Sequence, residues 1–295
     1  MSYINLKPQL NKLLEEISSD KIKSDIDENL LNQACEKLWH VSPFAHIRNF
    51  SEALKSLEQN SAWISYGGNR TGSTFTTMAL TILLDSMIET FLIGWEGDFK
   101  NPEKFFDLVE STPRAKAGIL KIHRNEEYCN NLLKCNKARA VVTTRDYPSI
   151  AGSYARMREN PYSPFHSPQK TTKKDIIHFI DNQISNHSKK KDLPNTLFVR
   201  EDEIRARPQD IISKIASHFG IQLTDTSALF ISKKLNIESQ RKNQKEIIVN
   251  STGHSKDNFL HHNHVNPHDG EYNKELHDLI FDKYGDILND DGYLA

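Results

Sequence analysis

A glycine-rich segment with hydroxyl and cationic side chains has the composition of an anion site. It reads Ser65-Tyr-Gly-Gly-Asn-Arg-Thr-Gly-Ser-Thr-Phe75 and stands between a predicted strand and a predicted helix. Glycines permit tight turns and close approach of the backbone to a ligand, and the N-terminus of the helix would direct free N–H groups at an anion. Ser73 and Thr74 add hydroxyl donors, and Arg70 adds a cationic fork for phosphate or sulfate oxygens. A glycine-rich turn that binds nothing has the same composition, so this segment alone leaves both interpretations open.

A lysine and a histidine stand farther along the chain, at the end of another predicted strand. Side chains alternate along a strand, which places Lys121 and His123 on one face and lets both point into one cleft. A histidine whose pKa lies near neutrality suits removal of a proton from a hydroxyl or an amine. A partly buried histidine with a backbone partner is the structural alternative.

Arg145 and Ser153 flank a third strand-to-helix turn. The predicted strand ends at Thr144, and Pro148 is typical of the first turn of the helix that follows. Open α/β sheets bind ligands at the carboxyl ends of their strands, so we expect Arg145 and Ser153 to converge at that edge. An arginine paired with Asp146, beside a capping serine, is the structural alternative.

The elements that would position these residues alternate between strands and helices from residue 61 onward. Strands are predicted at 62–66, 91–94, 118–122, 138–144 and 196–199, and helices at 73–85, 103–110, 126–134, 148–159, 173–186, 208–219 and 274–284. This alternation predicts a three-layer α/β/α domain over 61–295 with a central parallel sheet. Residues 1–60 are predicted to form a helical N-terminal extension, with Ser51 capping its third helix. Residues 160–172 are predicted to form a lid or mobile loop, and 237–273 to be irregular.

The composition argues against several classes of protein. Among 295 residues, 38 Lys and Arg face 39 Asp and Glu, a net charge of −1. A dedicated nucleic-acid or anionic-membrane binder would have a basic excess, so any anion site must be local. Three cysteines are too few for a disulfide scaffold. The N-terminus lacks the pattern of a signal peptide, and no apolar run approaches the ~20 residues that span a bilayer. We therefore expect a reduced, cytoplasmic protein.

Three ordered segments together resemble the sulfotransferases that use 3′-phosphoadenosine 5′-phosphosulfate (PAPS). Asn69–Phe75 is similar to the phosphosulfate loop of that family, Lys121 and His123 to its K-x-H pair, and Arg145–Ser153 to its 3′-phosphate motif. The resemblance covers about 61–292 and implies a P-loop-like fold. It also implies PAPS as donor, adenosine 3′,5′-bisphosphate (PAP) as product, no metal, and a small-molecule acceptor. Its soluble bacterial members, which act on metabolites, are the type that this chain resembles more than the Golgi glycan enzymes.

The resemblance also implies roles for individual residues. His123 would be the general base, and Arg70, helped by Lys121, would stabilise charge on the leaving phosphate oxygen. Phe75 occupies the position of an aromatic residue that stacks on adenine. The donor site implied in this way comprises Arg70, Thr71, Gly72, Ser73, Thr74, Phe75, Arg145 and Ser153.

The chain departs from the family pattern at two places. Glu201 stands where a tyrosine that contacts adenine is often found. Val265 and Asn266 replace an Arg-Lys pair that would clamp the 3′-phosphate. His264, His268 or an arginine elsewhere could replace that pair.

Other functions remain to be weighed against sulfuryl transfer. A P-loop phosphotransferase (kinase) would need a loop lysine and a Mg²⁺ site, and the lysine is missing; a nucleotide-binding module without chemistry is a further alternative. The cluster His261–His268 suggests zinc, but no cysteine or regularly spaced helical histidine pair accompanies it. Lys189–Lys191 is predicted to be a solvated turn. Cys129 and Cys135 lack the C-x-x-C spacing of redox sites and are predicted to be small core or surface residues.

The acceptor is the least defined part of the prediction. Carboxylates stand near an aromatic residue in 95–98 and again at Glu126 and Glu127. This composition suits a cationic small molecule, such as a natural product of secondary metabolism that carries a guanidinium group. Exposed acidic loop ends would have the same composition.

Overall fold

Five parallel strands form the centre of the fold, in the order β2-β3-β1-β4-β5. The computed structural model describes residues 47–88, 90–96, 101–112, 116–159, 166–167, 169, 171–236, 272–290 and 292–293. The strands are β1 (Ala62–Ser65), β2 (Leu92–Trp95), β3 (Gly118–Lys121), β4 (Ala138–Thr144) and β5 (Thr196–Arg200). Every residue of β1 and β3 is buried, because helices cover a parallel sheet on both faces. This explains why these strands are almost continuously apolar in the sequence.

Ten helices surround the sheet in the described part of the chain. They are α1 (Phe50–Gln59), α2 (Ser73–Asp85), α3 (Pro102–Ser111), α4 (Glu127–Lys134), α5 (Tyr147–Glu159), α6 (Lys173–Ser188), α7 (Glu201–Ala206), α8 (Pro208–His218), α9 (Asp225–Lys234) and α10 (Tyr272–Asp290).

Alternating strand residues divide the core into the two sides of the sheet. Trp63 and Ile119 pack on one side, with apolar residues of α1, α2, α8 and α9. Ile64 and Leu120 pack on the other, with residues of α3 and α4. A third cluster joins α5, α6 and α10. The predicted three-layer α/β fold with a central parallel sheet is therefore confirmed.

The register of the strands aligns the ends that carry the candidate site. Ser65, the last residue of β1, lies opposite Lys121 of β3 on one side and Val141 of β4 on the other. The chain leaves all three strands at one edge of the sheet. The glycine-rich segment, His123 and Arg145 consequently follow strands that end side by side.

Most predicted element boundaries agree with the structure to within two residues. The exceptions have local explanations. Ser51 lies inside α1 and does not cap it, because the helix begins at Phe50. Asn49 precedes it without a side-chain cap and instead bonds the Gly220 carbonyl oxygen at 2.9 Å and the Gln222 amide at 2.8 Å. Helices α7 and α9 were not predicted, and α10 extends beyond the predicted segment.

The prediction that Lys189–Lys191 is a solvated turn is wrong for its central residue. Lys189 and Lys191 are exposed, but Lys190 is only 1% exposed. Cys129 is buried on α4, and Cys135 is exposed directly after that helix.

Several predictions fall outside the described residues. These are the first two helices of the N-terminal extension, Cys35, Asp98, most of the proposed lid, Val265, Asn266 and the cluster His261–His268. In the part of the chain that the structure describes, no helix is both long and apolar enough to cross a membrane.

Candidate active site

The segment between β1 and α2 forms a tight loop. Arg70 and Gly72 both adopt positive φ, at 68° and 93°, in the left-handed region that favours glycine. The Thr71 hydroxyl donates to the Gly68 carbonyl oxygen at 2.7 Å and lies 2.8 Å from the Thr143 hydroxyl. These contacts fix the loop, which we call the anion loop (residues 67–75), against the end of β4.

Close approach also explains a glycine at the start of the anion loop. A Cβ atom on Gly67 would lie 1.9 Å from Thr143 Oγ1, which is inside van der Waals contact. Further along the loop, the Asn69 amide donates to Gln183 Oε1 of α6 at 3.0 Å. The loop is therefore held by side chains from β4 and α6 that the sequence analysis did not identify.

Helix α2 begins at Ser73, inside the anion loop, so its N-terminus forms one end of that loop. Its first turn contains Ser73 and Thr74 and no acidic residue. The N-terminal N–H groups and the helix dipole favour negative charge at this end. The position therefore suits a phosphate or sulfate group.

The predicted cationic and hydroxyl residues converge on the anion loop from three elements. Arg70 Nε donates to Ser153 Oγ of α5 at 2.7 Å. Arg145 Nη1, directly after β4, donates to the Arg70 carbonyl oxygen at 3.4 Å. Lys121 Nζ, at the end of β3, donates to Thr74 Oγ1 at 3.1 Å. Residues 83 positions apart in sequence thus touch.

The cations of this group repel one another. Burial lowers the pKa of Arg70 to about 10, with further lowering by the charges of Arg145 and Arg156. Burial also lowers the pKa of Lys121 to about 8, with Arg70 adding to the effect and Glu96 opposing it. Buried charges are stabilised by opposite charge, so this cluster is electrostatically suited to an anion. Arg156, one helical turn after Ser153, was not predicted; the three-residue spacing on α5 was the available signal.

Glu201 lies beside this cluster. Its Oε2 is 3.6 Å from Arg145 Nε, and its other carboxylate oxygen pairs with Arg205. Arg145 is 8% exposed, and burial lowers its pKa while the charge of Glu201 opposes that lowering. Glu201, not the neighbouring Asp146, is therefore the acidic partner of Arg145 in an ion pair.

His123 makes hydrogen bonds through its ring, its backbone amide and its backbone carbonyl group. Its ring Nδ1 lies 2.9 Å from the Gly67 carbonyl oxygen. A carbonyl can only accept, so Nδ1 carries a proton, and in the neutral imidazole the lone pair then lies on Nε2. Glu96 Oε2 accepts from the His123 amide at 2.9 Å, and Lys190 Nζ donates to the His123 carbonyl oxygen at 3.1 Å. The predicted alternative, a half-buried histidine with a backbone partner, is thus also the geometry that prepares a base.

Phe75, Glu96 and Glu126, which the sequence analysis placed near the ligands, have contacts within the protein itself. Phe75, in the first turn of α2, is half-buried and packs against the core; its adenine contact stays a prediction. Glu96 binds the amides of His123 and Arg124, and Glu126 pairs with the Arg124 side chain. Two of the carboxylates that suggested a cationic acceptor therefore have partners inside the fold. Among the residues described, no group of three or more His, Cys, Asp or Glu could hold a metal ion.

Comparison with known proteins gives matches by structure only. The sequence matches no protein-family model and no curated protein. Mouse sulfotransferase SULT7A1 complexed with PAP is 15% identical, with 83% of this chain and 94% of that chain covered and a TM-score of 0.56. Retinol dehydratase in a complex with retinol and PAP is 16% identical, with 83% and 88% covered and a TM-score of 0.51. The chain therefore has the α/β fold of these two PAP-bound proteins.

Proposed function

We propose that this chain is a PAPS-dependent sulfotransferase that transfers a sulfuryl group to a hydroxyl or amine of a small-molecule acceptor. The observation that carries the proposal is the meeting of Arg70, Arg145 and Ser153 at the anion loop, on the N-terminus of α2. The fold shared with PAP-bound proteins supports it. Residues 61–295 would form the enzyme domain and 1–60 its helical extension.

The donor would lie along the edge where β1, β3 and β4 end. Its phosphosulfate group would occupy the anion loop, with donors from Thr71, Gly72, Ser73 and Thr74 and from the N-terminus of α2. Its 3′-phosphate would bind Arg145 and Ser153. Because the buried cations lower each other's pKa, an anion at this place gains from several charges at once.

The reaction would be an in-line displacement at sulfur. The acceptor oxygen or nitrogen forms a bond to sulfur as the bond between sulfur and the 5′-phosphate oxygen breaks. The acceptor proton passes to His123 Nε2, and the electron pair of the broken bond stays on the phosphate oxygen of PAP. Arg70, Lys121 and the α2 dipole stabilise that developing charge. The protein thus contributes positioning and electrostatic preorganisation.

The acceptor is proposed only as a class. Retinol, named with one structural neighbour, is a small molecule with a hydroxyl group. This supports a small-molecule acceptor here; the expected absence of nucleic-acid and membrane partners stays a prediction. A cationic acceptor, such as a natural product that carries a guanidinium group, stays a prediction; the contacts of Glu96 and Glu126 inside the fold add no support to it. The expected bacterial type and cytoplasmic location stay predictions.

Transfer of labelled sulfur tests the proposal. The chain is incubated with ³⁵S-labelled PAPS, excess EDTA and a panel of phenols, alcohols and amines, and PAP release is measured in parallel. We expect label on an acceptor without divalent cations, since sulfuryl transfer by this site needs no metal. A parallel incubation contains ATP and Mg²⁺ in place of PAPS and EDTA. Phosphoryl transfer there, with no sulfuryl transfer from PAPS, would favour the phosphotransferase instead.

A further inference from the structure

Lys190 lies where the anion loop and His123 meet. Its Nζ donates to the Tyr66 carbonyl oxygen and to the His123 carbonyl oxygen, both at 3.1 Å. The same nitrogen is 3.9 Å from the centroid of the Tyr66 ring. At 1% exposure, Lys190 is enclosed by the two segments that it joins.

These contacts close a ring around the hydrogen bond of the histidine side chain. Tyr66 directly precedes Gly67, whose carbonyl oxygen lies 2.9 Å from His123 Nδ1. One amine therefore binds the residue before Gly67 and the backbone of His123 itself. We call Lys190, Tyr66, Gly67 and His123 the loop–histidine clamp. Lys190 thus fixes the spacing between the two backbone segments that carry the donor and the acceptor of this hydrogen bond.

The ring of Tyr66 is itself anchored. Its hydroxyl accepts from the Glu126 amide at 2.6 Å and donates to Asn130 Oδ1 at 2.9 Å. Lys190 therefore packs over an aromatic face of fixed position, which adds a favourable cation–π contact. The clamp thus has a rigid base on α4 and the segment before it.

We infer that Lys190 is a positioning residue that keeps His123 in the tautomer protonated at Nδ1 and so leaves Nε2 free of a proton. The use of that Nε2 as a base rests on the proposed function, whereas the tautomer itself does not. The buried amine supplies a hydrogen-bond donor to one carbonyl group of each segment.

The clamp does not depend on the charge of Lys190. Burial lowers the pKa of its amine to about 7, with Glu96 opposing the shift. A neutral amine still has two N–H donors, one for each carbonyl. The two contacts are therefore kept on either side of neutral pH.

A histidine tautomer is measured directly by long-range ¹H–¹⁵N spectra of the uniformly labelled full chain. The 13 histidines are recorded at about pH 8, where unperturbed imidazoles are neutral, and His123 is assigned by its loss in His123→Gln. We expect the Nδ1–H tautomer in the wild type and a mixture of tautomers in Lys190→Met. Lys189→Met removes an exposed lysine from the same run and should leave the spectrum of His123 unchanged.

An unchanged Nδ1–H tautomer in a folded Lys190→Met chain would overturn the inference. If that variant does not fold, Lys190→Gln replaces it. Its shorter amide cannot span both carbonyls, so the same loss of tautomer is expected and an unchanged tautomer again overturns the inference.

Kinetics separate positioning from a purely structural role. With PAPS and the best acceptor of the panel, Lys190→Met should lower kcat by about 10²-fold, the size expected for a misplaced catalytic group. In a His123→Ala background the same change should lower kcat by less than about two-fold, because it acts through His123. Equal losses in both backgrounds would contradict the positioning role. A wild type that shows the clamp tautomer but no PAPS turnover would refute the proposed function and leave the clamp intact.

Discussion

At the scale of single residues, the candidate site depends on three arginines and a lysine that lie within range of one another's charge. Burial lowers the pKa of Arg70 and of Lys121; the charges of Arg145 and Arg156 lower that of Arg70 further, and the charge of Arg70 lowers that of Lys121 further. Glu201 offsets part of the charge at Arg145. Each residue therefore acts through its neighbours, and single substitutions should change the binding of one phosphate group more than that of another.

Glu201→Gln should tighten the binding of PAP. The Glu201 carboxylate lies 3.6 Å from Arg145 Nε, where it competes with a 3′-phosphate for the same cation. We expect the Kd for PAP to fall by about three- to ten-fold, in line with the modest strength of partly exposed charge pairs, and the Kd for ADP to change less. Calorimetric titration measures both constants.

Asp202→Asn is the matched control for that change. Asp202 stands next to Glu201 but is exposed and pairs with Arg200. The same loss of one negative charge at this position should leave the Kd for PAP unaltered. Weaker PAP binding in Glu201→Gln would instead mean that Glu201 holds Arg145 in place for the ligand.

His123→Ala should retain only a small, measurable fraction of turnover while PAP still binds. Removal of a general base lowers rates by about 10²- to 10⁴-fold, whereas the cations and hydroxyls proposed to hold PAP stay in place, with Arg70 on Ser153 and Arg145 on the Arg70 carbonyl oxygen. Turnover of labelled PAPS and calorimetry with PAP give the two numbers. Near-normal turnover in the variant would remove His123 from the mechanism.

At the scale of elements, the turn from β1 into α2 needs glycine at two positions, one for a close approach and one for its backbone conformation. Gly67 lies against Thr143 of β4, and Gly72 has a φ of 93°. The sequence alone indicated a turn and an anion-directed helix. It could not indicate the close approach of β4, because that contact joins residues far apart in the chain.

Gly67→Ala should displace the anion loop. The added methyl group would lie 1.9 Å from Thr143 Oγ1, and overpacking of this kind destabilises proteins by about 1–3 kcal/mol. We expect a lower midpoint of urea unfolding and at least about ten-fold weaker PAP binding. Gly285→Ala on α10 is the control, since a Cβ there meets nothing within 4 Å; alanine inside a helix should raise the unfolding midpoint slightly, and PAP binding should not change. PAP binding of wild-type strength in Gly67→Ala would show that the loop tolerates the shift.

The elements themselves were largely predictable, and the contacts between them were not. The five strands and most helices follow from local patterns: continuous apolar runs for buried strands, and amphipathic spacing with Pro102, Pro148 and Pro208 in first turns. The short α7 carries too few residues for a periodic signal. Lys190 was predicted to lie in a solvated turn. It is buried instead, in contact with Tyr66 and His123, which lie 124 and 67 positions away in the sequence.

The candidate site shows the same division between motif and tertiary contact. Five residues were identified from their order, their places at strand ends and the family resemblance, and the structure brings them to one edge of the sheet. They are Arg70, Lys121, His123, Arg145 and Ser153. Three contacts depend instead on how α5, α6 and α7 pack. They are the hydrogen bond of Gln183 to the loop, the effect of the Arg156 charge on Arg70, and the ion pair between Glu201 and Arg145. No local pattern encodes those distances.

At the scale of the whole molecule, buried lysines make the stability depend on pH. Burial lowers the pKa of Lys190 to about 7 and those of Lys121 and Lys234 to about 8. Between these values and the ordinary pKa of lysine near 10.5, the unfolded chain binds more protons than the folded chain. The free energy of unfolding therefore rises with pH in that window.

Urea unfolding between about pH 7 and pH 9 tests this dependence. We expect the unfolding midpoint to increase over the range and to increase less in Lys234→Met, which lies outside the candidate site on α9. Burial raises the pKa of Cys129 to about 12, so ionisation of that thiol in the unfolded chain opposes the trend above about pH 8.5. A midpoint that is constant or falls between about pH 7 and pH 8.5 would contradict the account.

The central claim, that the fold and the converging cations form a site for a nucleotide with a 3′-phosphate, is tested most directly by calorimetric titration with PAP and, beside it, ADP, both without Mg²⁺. Both ligands carry adenine and two phosphate groups, so their difference isolates the 3′-phosphate position. The account predicts that PAP binds more tightly by at least about ten-fold and that Arg145→Ala removes most of that preference. Equal binding, or a preference for ADP, would contradict it and would assign the anion loop to an ordinary nucleotide.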